Sequence, residues 1–195
     1  MKNKGFLLVM MQPPATLEDE FNAWYDTEHV PERVAVPGFE TGLRYVCIDG
    51  HPDYLAMYDT QDPEVFATEG YLRVSFDRAS PWTKRVTSRV KVYRYAGRQV
   101  YPGTALTRPC ARVMVLRFRN LPASAESSIV AGMRANFEER PETLQVRVFV
   151  HDTGGSSSDY LGFVELRGAP SRPLDTARFG TAADALDLVN TYAPY

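Results

Sequence analysis

Two stretches of the chain present the same succession of patterns, and that repetition limits what it can fold into. Residues 5–12 form an apolar run. A helical stretch begins at Thr16-Leu17-Glu18-Asp19, with Thr16 as predicted cap. Phe39–Ile48 and Tyr54–Tyr58 read as two strands joined by the turn Asp49–Asp53. Asp62-Pro63 and Ser80-Pro81 begin further helical pieces, and Arg89–Tyr95 is a fourth strand. The order then recurs. Arg112–Arg119 is a strand, Ser124–Glu139 a helix, Leu144–Val150 and Tyr160–Arg167 strands, and Thr181–Val189 a helix. The tail Asn190–Tyr195 carries no strand signal strong enough to complete the second set.

The repeated β-α-β-β-α-β order is the ferredoxin-like arrangement, so the fold class is α+β. The expected organisation is a first half at 1–96, a Pro/Gly-rich linker at 97–109 and a degenerate second half at 110–195. Each such unit covers one sheet face with helices and leaves the other open. Two units closing on each other predict a single barrel with a cavity between the sheets.

Composition narrows the function. The 195 residues carry 22 Lys and Arg against 24 Asp and Glu, which disfavours a nucleic-acid partner. Two cysteines cannot build a disulfide scaffold or a four-cysteine metal site, so the expectation is a cytoplasmic protein without a metal. The basic start and the run Phe6–Met11 mimic an export leader, but no small-x-small cleavage site follows. A buried first strand and no membrane partner are expected.

The densest chemical signal is Asn22–Arg33, which holds two large aromatics, three carboxylates, one His and one Arg. On a helix Tyr25 and His29 share a face, and Asp26 lies where it could orient His29. Pro31 disfavours helix at Val30, so the helix should end near His29, where the macrodipole favours imidazolium. His29 would then sit at a cavity mouth, contribute little packing and exchange a proton near neutral pH. The bland alternative is a capped amphipathic helix with a solvated acidic face. His51 belongs to a turn, His151 to a Gly/Ser loop and Cys47 to a strand interior.

Trp24-Tyr25-Asp26-Thr27-Glu28-His29-Val30-Pro31, followed by Pro37-Gly38-Phe39, resembles the signature of EthD-like proteins of the dimeric α/β-barrel superfamily. The resemblance covers roughly residues 5–95, with the order of the aromatic pair reversed. It implies a single-chain barrel of the dimeric type and a cavity between sheet and helices for a small apolar or aromatic molecule. The family histidine corresponds to His29. The equivalent helix end of the second half, Asn136–Pro141, has no histidine, which suggests one site per chain. On this resemblance the catalytic candidates are His29, Tyr25 and Asp26. The substrate-binding candidates are Trp24, Glu28, Arg33, Arg44, Tyr45, Tyr58 and Trp82. Arg44 and Tyr45 point to opposite strand faces, so only one lines the cavity.

The first functional expectation is a cofactor-independent lyase or isomerase, with no cofactor and His29 as general acid/base. Asp26 or Glu28 would set the protonation of His29, and Arg44 or Arg33 would hold an anionic oxygen. The alternatives are a cofactor-free monooxygenase of a phenolic substrate, and a non-catalytic small-molecule or haem binder with His29 as axial ligand. A homodimer through free strand edges is possible.

Overall fold

Eight antiparallel strands close on themselves in this computed structural model, which describes residues 2–195 apart from the Phe76 side chain. The strands are β1 (Gly5–Gln12), β2 (Leu43–Asp49), β3 (Tyr54–Thr60), β4 (Lys91–Tyr101), β5 (Arg112–Leu121), β6 (Thr143–Asp152), β7 (Ser158–Leu166) and β8 (Leu186–Pro194). Their order around the barrel is β1-β3-β2-β8-β5-β7-β6-β4. Each half therefore arranges its own strands alike, as β4-β1-β3-β2 and as β8-β5-β7-β6. The halves join where β2 pairs β8 and β4 pairs β6. Closure leaves these strands no free edge, so the edge-strand route to a homodimer is absent.

The unbroken apolar run of the first strand has a simple cause. Phe6, Leu8 and Met10 point into the barrel, while Leu7, Val9 and Met11 point out against the helices. Both faces are buried, so the usual alternation with polar residues disappears. The barrel interior is filled by Tyr45, Leu55, Met57, Tyr95, Phe149, Phe163 and Tyr192 among others. The cavity expected between the sheets is thus replaced by packed side chains.

Helices cover the outer face of the first half. These are α1 (Glu18–Trp24), α2 (Val30–Val34), α3 (Glu69–Arg73) and α4 (Pro81–Thr87). The helical starts expected at Asp62-Pro63 and Ser80-Pro81 are present, with the Asp62 and Ser80 side chains accepting from the amides of Glu64 and Thr83. Thr16 does not cap; it lies inside a 3-10 turn, Ala15–Leu17. The helix does not end at His29 either. A π turn, Tyr25–His29, joins α1 to α2 without a break, and the Val30 amide bonds back to Tyr25 O. Pro31 then falls in the first turn of α2, where its missing N–H costs nothing.

The second half has one long helix, α5 (Glu126–Phe137). The final helix expected at 181–189 is instead a 3-10 segment, Thr176–Ala185, followed by β8. Gly180 breaks the segment with φ 56°, and the alternation beyond Leu186 suits pairing with β2 and β5. Strand β4 runs on to Tyr101, so the Pro/Gly-rich join is shorter than the 97–109 linker expected. Among the described residues no helix is long and apolar enough to cross a membrane.

The join is fixed from inside the barrel. Arg147 of β6 donates to Asp59 of β3 at 2.8 Å, Glu165 of β7 at 3.2 Å and the Thr107 hydroxyl at 2.7 Å. All three charged side chains are fully buried. Arg147→Met would strand two carboxylates in the interior, an expected cost of about 3–5 kcal/mol by urea unfolding. Replacing Asp59 and Glu165 by Leu in the same chain should recover much of that loss.

Candidate functional site

A cavity of about 220 Å³ lies between the outer face of the first-half sheet and its helices. Leu7, Val9 and Met11 of β1 form its floor. Trp24, His29 and Arg33 come from the α1–π–α2 segment, and Tyr71, Ser75, Thr83, Lys84 and Arg94 complete the wall. π turns recur at functional sites because the wider turn re-aims side chains. Here Trp24 and His29 flank that turn and both reach the cavity.

His29 is buried, with its ring 4.4 Å from Trp24 and edge-on to Tyr25 at 5.1 Å. Its Nδ1 is buried with no hydrogen-bond partner. Burial, with the Arg33 and Arg44 guanidiniums nearby, pulls its pKa down to about 3. The imidazolium expected at a helix end is therefore disfavoured, because the helix continues and the ring lies beneath it. The low packing contribution expected of a mouth residue is likewise replaced by a buried ring packed against two aromatics.

Arg33 is also buried. It donates from Nη1 to Ser75 Oγ at 2.7 Å and lies 5.0 Å over the Tyr71 ring, while its Nε has no partner. Trp24 Nε1 donates to Thr83 Oγ1 at 3.0 Å. Glu28 accepts from the Ser80 hydroxyl at 2.5 Å and from Thr83 at 3.1 Å. Glu28 thus ties the π turn to α4 and does not touch His29. Asp26 does not orient His29 either; it pairs with Arg44.

Arg44 leans under the helices, its guanidinium 4.6 Å from the Tyr25 ring and 4.0 Å from Tyr195. Its Nη2 donates to Asn22 Oδ1 at 2.6 Å. Asp26, Arg44 and Tyr45 line a second opening of about 490 Å³ with Arg108, Cys110 and Tyr195. Tyr45 itself packs in the barrel interior, as the opposite-face reading requires. Tyr25 and Tyr58 are buried in the sheet–helix layer. Burial raises Tyr25 to about 12 and Tyr58 well above its ordinary value, so both stay protonated. Trp82 is half-buried on α4, donating to Glu20 at 3.1 Å away from the cavity.

The structure therefore brings Trp24, His29 and Arg33 into one cavity and places Asp26, Arg44 and Tyr45 at another opening. Tyr71, Ser75, Lys84 and Arg94 were missed because they come from separate elements with no local motif. The corresponding layer of the second half is filled by Met133, Phe137 and Phe179.

No family model and no curated protein matches the chain. Solved structures do match over its whole length. An anthrone oxidase-like protein aligns with TM-score 0.65 at 12% identity, covering 100% of this chain and 92% of that one. A provisionally assigned monooxygenase from Lactobacillus acidophilus aligns with TM-score 0.58 at 8% identity, over 100% and 94%. A mutant chlorite dismutase from Candidatus Nitrospira defluvii aligns with TM-score 0.56 at 10% identity, over 100% and 92%. The chain has the dimeric α/β-barrel fold. At such identities the likeness concerns architecture, and function has to be argued from the site.

The depressed histidine links to stability. The unfolded imidazole titrates near 6.5 and the folded one near about 3, so the unfolded state takes up its proton first as pH falls. His29 favours folding fully above about pH 6.5. It then loses that contribution at up to about 1.4 kcal/mol per pH unit on acidification. Urea unfolding from pH 7 to 4 should show a steeper loss for the native chain than for His29→Gln.

Proposed function

We propose that this chain is a cofactor-independent enzyme that oxidises a small phenolic or enolisable aromatic compound with molecular oxygen, His29 acting as base. The observation that carries the reading is a neutral imidazole, its Nδ1 without a hydrogen-bond partner, in a cavity beside a buried guanidinium. The anthrone oxidase-like and monooxygenase neighbours support the oxygenase reading, and they stand beside chlorite dismutases of the same fold. The motif around His29 supports an EthD-like origin, and the matching strand order of the halves supports a doubled ferredoxin-like unit.

The mechanism follows from the charges. His29 accepts the proton of an enol or phenol bound against Trp24. Arg33 holds the resulting oxyanion, offering its unpartnered Nε. Tyr25 and Tyr58, protonated and buried behind His29, exclude water from that side. The electron-rich anion then supplies electrons to oxygen directly. A ring CH2 and O2 give a C=O and one water, so the substrate provides both hydrogens and no external reductant enters.

Haem does not fit these residues. His29 packs against Trp24 at 4.4 Å in about 220 Å³, and the second-half layer holds Met133, Phe137 and Phe179, with no histidine among its described packed residues. No step is routed through such a group.

Oxygen uptake with a panel of hydroxylated aromatics tests the reading. His29→Gln should lower the rate by roughly 10²–10⁴-fold. His51→Ala and His151→Ala should match the native chain. Full activity in His29→Gln would overturn the assignment. Turnover that needs His29 but proceeds without oxygen would shift the reading to a lyase or isomerase.

A further inference from the structure

Among the described residues Arg33, Arg140 and Arg147 are buried, and they are not treated alike. Arg147 faces two carboxylates. Arg140 donates to three backbone carbonyls, those of Asn136, Arg172 and Pro173. Arg33 has a single hydrogen bond, to the neutral Ser75, no ion pair, and an unpartnered Nε. A buried cation without a counter-charge is expensive, and such sites are retained where a ligand supplies the missing anion.

The rest of the cavity points the same way. Lys84 and Arg94, both exposed, line its solvent side. Arg94 donates to Tyr71 Oη at 2.9 Å, the ring on which Arg33 rests. No described carboxylate lines the cavity; Glu28, behind Thr83, is engaged by two hydroxyls. One deep cation suffices for the oxyanion formed during reaction. Lys84 and Arg94 add positive charge at the mouth, where a second anionic group of the substrate would meet it.

We infer that the substrate carries a permanent negative charge: a small hydroxylated aromatic carboxylate. Its carboxylate lies at Lys84 and Arg94, and its hydroxyl reaches His29 and Arg33. This rests on the reading of the same cavity as the reaction site. The volume of about 220 Å³ is below the roughly 300–1,000 Å³ of sites for drug-sized ligands, which suits one or two rings over a three-ring anthrone.

Calorimetric titration with 2-hydroxybenzoate and with its methyl ester isolates the charge, since the ring and hydroxyl are shared. The acid should bind about tenfold or more tighter than the ester, with the preference shrinking at high salt. In Lys84→Met/Arg94→Met the preference should fall to about threefold or less, and in Lys84→Arg/Arg94→Lys it should persist. All four side-chain changes are at exposed positions, and thermal melts verify folding. Equal or tighter binding of the ester, a preference that survives the double Met variant, or no binding by either compound would overturn the inference. Binding is read without turnover. An incorrect oxygenase reading would appear as acid binding without oxygen uptake, and an incorrect charge assignment as uptake without an acid preference.

Discussion

Arg147 reaches across the barrel from the second half to Asp59 of the first, and the rest of the architecture is arranged around that contact. Asp59 also accepts the Thr107 amide at 2.6 Å and the Thr41 hydroxyl at 2.7 Å. Glu165 accepts the Arg108 amide at 3.1 Å and a Gln145 amide at 3.0 Å. One guanidinium thus secures strands from both halves and the segment joining them. Two carboxylates share that cation, and burial raises the pKa of Glu165. Such a cluster contributes less to net stability than to the register in which the halves meet. With this polar plug and the aromatic filling beside it, the interior is packed. The cavity that holds His29 lies instead in the layer between sheet and helices.

That layer exists twice, and the two copies are packed differently. In the second half Gly132 lets Phe179 approach so closely that a Cβ there would lie 2.3 Å from the ring. Gly162 likewise admits Met133, whose Cε would be 2.5 Å from an added Cβ. Two glycines permit two large side chains to fill the space that Trp24, His29 and Arg33 leave open in the first half. The asymmetry comes from packing, since the strand order of the halves is the same.

The first strand and the helix starts at Asp62-Pro63 and Ser80-Pro81 were legible because each has a local cause: burial on both faces, or a side chain bonding an amide two or three residues on. The course of the His29 helix was not. Pro31 signals an end, and only the π turn makes it compatible with continuation. β8 was hidden because its pairing partners are distant in sequence. In the site, Trp24, His29 and Arg33 were visible as a compact motif. The partner expected for His29, Asp26, was misplaced because helical spacing says which residues share a face but not what a strand such as β2 presents to them. Arg44 took that carboxylate.

The charge state of His29 follows from its burial first and from its neighbours second. Out of water, with Arg33 and Arg44 close and no carboxylate bonded to the ring, a further cation there is unfavourable, so the imidazole rests neutral. In the proposed reaction the same field changes its effect once a substrate oxygen becomes anionic. The proton moves to His29 as the negative charge appears beside Arg33, and imidazolium and oxyanion then stabilise each other. A group that is a weak base in the empty cavity becomes a stronger one only when that anion forms. This is differential stabilisation of the reacting state over the resting one. It also explains why the site tolerates an uncompensated buried arginine: the cost is present in the empty protein and is relieved by the bound anion.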